Sequence, residues 1–182
     1  MEEKLKYFDY FILRLIKKKS GSDMTNNIYN PESDSSALYC FNKLKLLKLL
    51  FLVASIKDSS NNDLLEIFNR FYAMPYGPVE SDIYENINNI PNFHVLNNRI
   101  EVKPDYNFTY NINDRIFSRI NTAIELLYQK NSHLIDMSAF DLVELTHKAD
   151  SWKIVYSNAL RLNKNSQLMP IDIIRKTIVY YQ

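Results

Sequence analysis

Residues 41–56 constrain the fold more than any other stretch of the chain. At about 100° per residue, Lys45, Lys48 and Ser55 fall on one narrow polar strip of a helix. Leu44, Leu46, Leu47, Leu50, Phe51, Val53 and Ala54 cover most of the remaining circumference. A helix that is apolar over more than half its surface cannot face water and belongs at the centre of a fold. The run is too short, and its apolar face too wide, for a coiled-coil seam. Other elements must therefore pack around it.

The chain has 182 residues, 46% of them hydrophobic and 24% charged. That balance predicts a packed globule and a length suited to one domain spanning 1–182. The formal net charge of +1 argues against a dedicated nucleic-acid binder, which would carry a basic excess. Cys40 is the sole cysteine, so no disulfide framework can form within the chain and no cysteine-rich zinc site is expected. Beside Phe41 it reads as a small buried hydrophobe. The first apolar stretch is broken by Asp9 and Arg14 and lacks a small-residue cleavage site, and no run reaches membrane-span length. The expectation is a cytoplasmic protein.

The expected fold class is mainly α, a single compact helical domain with a small β-hairpin and about five to seven helices. Residues 3–18 form an amphipathic helix through Leu5, Phe8, Ile12 and Leu15, with glutamates at its start and lysines at its end. A membrane-surface helix is the sharper alternative, which Asp9 and the acidic start oppose. Residues 20–37 carry loop chemistry, including Asn-Asn, Asn-Pro and Asp-Ser-Ser, and exceed the usual limit of about 12–15 residues for a connection. Residues 58–63 read as a polar turn. Residues 64–72 are ambiguous, with Asp63 and Glu66 spaced as a capping box and favouring a helical start. Pro78 suits the first position of a helix running to Pro91, with Glu80 and Asp82 in its first turn. Asn97-Asn98 predicts a two-residue hairpin turn that sets Val95 against Ile100, Phe93 against Val102 and His94 against Glu101. Further helices are expected over 114–130, over 137–147 with Ser138 as N-cap, from Asp150 or Ser151 to about Leu162, and from Pro170 through Ile171, Ile174, Ile178 and Tyr181.

Two short segments concentrate the rarest residues. Of two glycines, Gly77 sits in Ala73-Met74-Pro75-Tyr76-Gly77-Pro78-Val79, and the sole tryptophan, Trp152, closes Leu145-Thr146-His147-Lys148-Ala149-Asp150-Ser151-Trp152. Gly77 marks a backbone turn that other residues could not make cheaply. His147 could pair with Asp150 as acid and base, or with Thr146 as a nucleophile pair. Neither spacing is specific, and a histidine in the last turn of a helix commonly serves the dipole or the final carbonyls. Trp152 reads as an anchor locking two helices at a corner, with an exposed partner anchor as the rival reading. Two glycines cannot build a phosphate-binding loop, and no metal-ligand spacing is present. No catalytic residue, cofactor or metal is therefore assigned.

Together these features resemble the Panacea domain family, the SocA-like antitoxins and their phage-associated relatives. Residues 42–54 are similar to the family's central Lys-Leu-x-Lys-Leu-Leu-Tyr-Phe-Ala helix, with Phe51-Leu52 in place of Tyr-Phe. Ala73 followed by Gly77-Pro78-Val79 and Ile83-Tyr84 resembles its Gly-Pro-Val turn and the next helix. Leu145-Thr146-His147 with Trp152 resembles its Thr-His…Trp corner. Residues 5–18 and 171–181 match its opening and closing helices in pattern. Residues 20–37 are longer than the family's usual link, and inserted loops often carry specificity.

The resemblance implies a non-catalytic antitoxin in a toxin–antitoxin system, which binds and neutralises a toxin protein encoded by a neighbouring gene. The candidate motif or partner-binding residues are Tyr76, Gly77, Pro78, Tyr84, His147, Asp150 and Trp152. A phage-encoded interaction protein and a DNA-binding regulator are the alternatives, the latter using Lys43, Lys45 and Lys48. A His147/Asp150 enzyme is the third.

Overall fold

The computed structural model describes residues 1–24, 26–58, 60, 63–110 and 114–182. Helix α1 (Glu2–Ser20) starts with Glu2 and Glu3, finishes with three lysines and stops at Gly21, whose φ of 72° closes the helix. It is no surface helix. From Phe8 to Lys17 every residue is buried, including Asp9, Arg14 and Lys17. Each of these charges is answered internally. Asp9 accepts from the Asn92 N–H and amide, Arg14 donates to the Met24 and Asn26 carbonyls, and Lys17 donates to the Ile28 carbonyl.

The expected loop over 20–37 contains helix α2 (Pro31–Leu38). The Asn-Pro pair that signals a loop is the helix entry: Asn30 caps the Glu32 N–H, and Pro31 takes the first position. Asp34 is buried and accepts from Ser20, Ser22 and the Asn30 N–H, which fastens α2 to the end of α1. Helix α3 (Lys43–Ser55) is the expected central element, capped by Asn42, with Leu46 through Ala54 buried without a break.

Half of the expected polar turn at 58–63 lies outside the described residues. Beyond it the helix suggested by Asp63 and Glu66 does not form. Residues 64–68 make a turn, and Asp63 accepts from the Leu65 N–H while Arg175 grips its carboxylate at 2.7 and 3.0 Å. Strand β1 (Phe71–Met74) follows and pairs antiparallel with β2 (Gly77–Glu80). The helix expected at Pro78 is thus displaced to α4 (Ser81–Glu85). Pro78 lies opposite Ala73 on the edge strand of a sheet ordered β2-β1-β5, where a missing N–H costs least. Glu80 becomes the N-cap, accepting from the Ile83 N–H, and Lys4 of α1 bridges Glu80 and Asp82 at 2.9 and 2.6 Å. Helix α4 ends at Glu85, well before Pro91, and a 3-10 turn (Ile87–Asn89) fills the gap.

Strands β3 (Phe93–Val95) and β4 (Ile100–Val102) pair in the register anticipated, Phe93 with Val102, His94 with Glu101 and Val95 with Ile100. Helix α5 (Arg115–Lys130) begins at the Asp114 cap and buries Phe117, Ile120, Ala123, Ile124 and Leu127. Helix α6 (Ala139–His147) carries a complete capping box between Ser138 and Asp141. Helix α7 (Asp150–Arg161) starts one residue earlier than a capping Asp150 would require: Ala149 holds the cap position and offers no side chain. Strand β5 (Gln167–Leu168) adds to β1, an element without a periodic signal in the sequence. Helix α8 (Ile171–Lys176) stops at the extended Thr177, so Ile178 and Tyr181 leave the helical pattern. The Ile178 carbonyl instead accepts from the Asp150 N–H.

The architecture is mainly helical with small antiparallel sheets. Eight α-helices lie among the described residues, one more than the upper expectation. One hydrophobic cluster extends from Leu5 to Ile174. No helix of the described residues is long and apolar enough to cross a membrane.

Candidate functional site at the Gly77–Trp152 corner

The two segments singled out in the sequence, 73–79 and 145–152, meet in space. Pro75 and Tyr76 form the two-residue turn between β1 and β2, with Met74 paired to Gly77. Proline at the second and glycine at the fourth position is the residue preference of a type I hairpin turn closed by a glycine bulge. Gly77 has φ 90°. A Cβ there would stand 2.7 Å from Thr146 Oγ1, 3.3 Å from Lys48 Nζ and 3.6 Å from His147 Cδ2. The glycine thus serves two needs at once, a left-handed backbone and a close approach to α3 and α6.

Three side chains clamp this turn. Trp152 Nε1 donates to the Met74 carbonyl at 3.0 Å, and Lys48 Nζ donates to the Pro78 carbonyl at 2.7 Å. The His147 ring stacks on Trp152 with centroids 4.0 Å apart, and Trp152 stacks in turn on Tyr156 at 4.9 Å. Trp152 is half-buried, so it locks α7 to the hairpin while keeping one edge at the surface. Both readings of Trp152 have a physical basis in this placement.

The electrostatics of the corner are those of a desolvated joint. Lys48 has no exposed surface, and burial pulls its ammonium down to about 7. His147 also titrates below its ordinary value, chiefly through burial. Glu144 opposes that shift, Lys48 reinforces it, and the Pro75 carbonyl opposes it. Its Nε2 and the Ser151 hydroxyl are buried without a hydrogen-bond partner among the described residues.

Neither His147 with Asp150 nor His147 with Thr146 forms a hydrogen bond among the described residues. Asp150 faces Lys153 at 3.8 Å. Thr146 Oγ1 donates back to the Val143 carbonyl at 3.0 Å rather than to His147. Tyr76 and Tyr84 project outward, 64% and 47% exposed, and Lys43 lies 5.6 Å over the Tyr84 ring. Pro78 is buried in β2. Lys48 was the member of the corner that motif reading passed over. Its signal was present as a polar position on a helix otherwise too apolar to meet water.

The model of the antitoxin SocA-like, Panacea domain family matches residues 46–153, more than half of the chain. The chain belongs to this family. The matched segment runs from α3 to the first turn of α7 and so contains Lys48, Gly77, Pro78, Thr146, His147 and Trp152, with Tyr156 just beyond it. The opening and closing helices lie outside it. No curated protein and no solved structure matches the chain.

Proposed function

We propose that this Panacea-domain protein neutralises a toxin, encoded by a neighbouring gene, through direct stoichiometric binding. The observation that carries the proposal is the family match over the segment that builds the Gly77–Trp152 corner. The inward-facing members of that corner, Gly77, Pro78, Lys48 and Thr146, hold the scaffold. Tyr76, Tyr84 and the open edge of Trp152 are the surface through which the toxin is held. Large, rigid aromatic rings supply contact area at low entropic cost, which is why they dominate protein-binding hot spots. The burial of Lys45 and Lys48 in α3 argues against the recognition helix of a DNA-binding regulator.

Co-expression with the adjacent reading frame, followed by co-purification and titration, tests this reading. A binder must be present at no less than one molecule per toxin to rescue growth or activity. Rescue well below that ratio, or rescue abolished by His147→Ala while the complex still forms, would overturn it.

A further inference from the structure

A cleft of about 420 Å³ opens between the end of α1, the start of α3 and the start of α6. Cys40, Lys19 and Lys45 line it. Lys45 is only 5% exposed, yet its ammonium makes no hydrogen bond and no ion pair among the described residues. Its recorded neighbour is the face of Phe41, 5.3 Å away. The other buried cations differ. Arg14, Lys17 and Lys48 each donate to a backbone carbonyl. An ammonium has three donors, and that of Lys45 meets no protein acceptor among the described residues while keeping access to the cleft.

The surroundings of Lys45 explain what would answer it. Asn42, the N-cap of α3, and Ser138, the N-cap of the nine-residue α6, both line the cleft, so two helix N-termini open onto it. Part of each start is already capped, the Lys45 N–H by Asn42 and the Asp141 N–H by Ser138, and the helix dipoles favour negative charge. Lys19 approaches from α1 and is paired with Asp136, more than half of which is exposed at the rim. The result is an ammonium without a hydrogen bond, a Lys19–Asp136 ion pair and two helix starts around a space larger than a single ion. Asp136 acts on Lys45 through space but forms no hydrogen bond or ion pair with it. Burial holds this lysine below its ordinary range, a penalty that a bound anion would reverse.

We propose that the cleft at Lys45 binds a phosphoryl oxyanion, either free phosphate or the terminal group of a small phosphomonoester. Phosphate oxygens can accept from the Lys45 ammonium, from Lys19 and from the α6 N-terminus together. Lys45, Cys40 and Lys19 lie outside the family-matched segment, whereas the α6 start lies inside it.

The test compares thermal unfolding of the parent and Lys45→Met at constant ionic strength, with and without about 20 mM inorganic phosphate, since a ligand raises the melting temperature only of the chain that binds it. The parent should melt higher in phosphate. Lys45→Met should show no specific shift. Equal shifts in both chains, or none in the parent, would overturn the proposal. Alkylation of Cys40 by neutral N-ethylmaleimide supplies a second readout that needs no variant. At phosphate about tenfold above its dissociation constant the rate should fall about tenfold, since only the open fraction reacts. A rate unchanged by phosphate at matched ionic strength also refutes the site. Phenyl phosphate separates the two sources: tighter protection than by inorganic phosphate supports a monoester, and equal protection supports free phosphate.

Discussion

The Lys48 ammonium donates to the Pro78 carbonyl at 2.7 Å, and both residues are sealed from solvent. This single bond joins the central helix to the edge strand that follows the glycine turn. It also commits a positive charge to the core without a carboxylate beside it, which makes the corner sensitive to pH.

Above about pH 7 the folded chain releases the Lys48 proton, while the unfolded chain, titrating near 10.5, still holds it. The unfolded state then binds more protons, so stability rises with pH across that window, by up to about 1.4 kcal/mol per pH unit. Below the window both states are protonated and the full penalty is present. Urea unfolding at about pH 7 and about pH 9.5 measures this, the upper limit keeping tyrosine ionisation out of range. Lys48→Met should remove the rise. His147 adds a smaller effect of the same sign on the acid side, since its folded pKa is also depressed and stability falls as pH drops below its ordinary value. A parent and a Lys48→Met chain with parallel pH profiles would show that Lys48 does not titrate in this window.

Gly77→Ala should destabilise the chain by about 2–4 kcal/mol, combining a left-handed backbone with a methyl group forced against Thr146. The distance of 2.7 Å to Thr146 Oγ1 is too short for a carbon to occupy without movement. Adding Thr146→Ala should recover about 1 kcal/mol, because it removes the obstruction and leaves the backbone strain. Denaturant midpoints of the two single variants and the double variant decide whether the coupling exists.

Trp152→Phe keeps an aromatic ring over His147 and deletes the donor to the Met74 carbonyl. The expected loss is about 1 kcal/mol, the net worth of one hydrogen bond. Trp152→Ala should cost more, but less than the about 3–5 kcal/mol of a fully buried tryptophan. Thermal melts followed by circular dichroism compare them. If Trp152→Ala melts like the parent and loses its partner, the residue acts wholly as a partner contact.

Tyr76→Ser should leave stability within about 0.5 kcal/mol of the parent, since an exposed turn side chain contributes little to the fold. It should weaken the toxin complex measurably in a pull-down or titration. A complex of undiminished affinity would remove Tyr76 from the binding surface, and Tyr84→Ser would then test the neighbouring exposed ring in the same assay.

Several features were legible in the chain because they rest on short-range chemistry. The apolar run of α3, the amphipathic stripe of α5, the Ser138–Asp141 capping box and the Asn97-Asn98 hairpin register each depend on residues a few positions apart. So does the need for glycine at 77. The family pattern, too, is a set of short motifs in fixed order.

Tertiary structure decided the rest, for reasons no local pattern contains. Gly77-Pro78 suits a helix entry equally well in isolation; it becomes a strand because Phe71–Met74 lies beside it and Gln167–Leu168 extends the sheet from nearly a hundred residues away. Asn30-Pro31 opens a helix rather than a loop because Asp34 finds Ser20 and Ser22 at the end of α1. The apolar run placed α3 at the centre of the fold but did not say what would meet the lysines on its polar strip. Lys45 and Lys48 are buried because α6 and β2 pack against the helix, and the fate of a charge depends on which elements surround it and not on its neighbours in sequence.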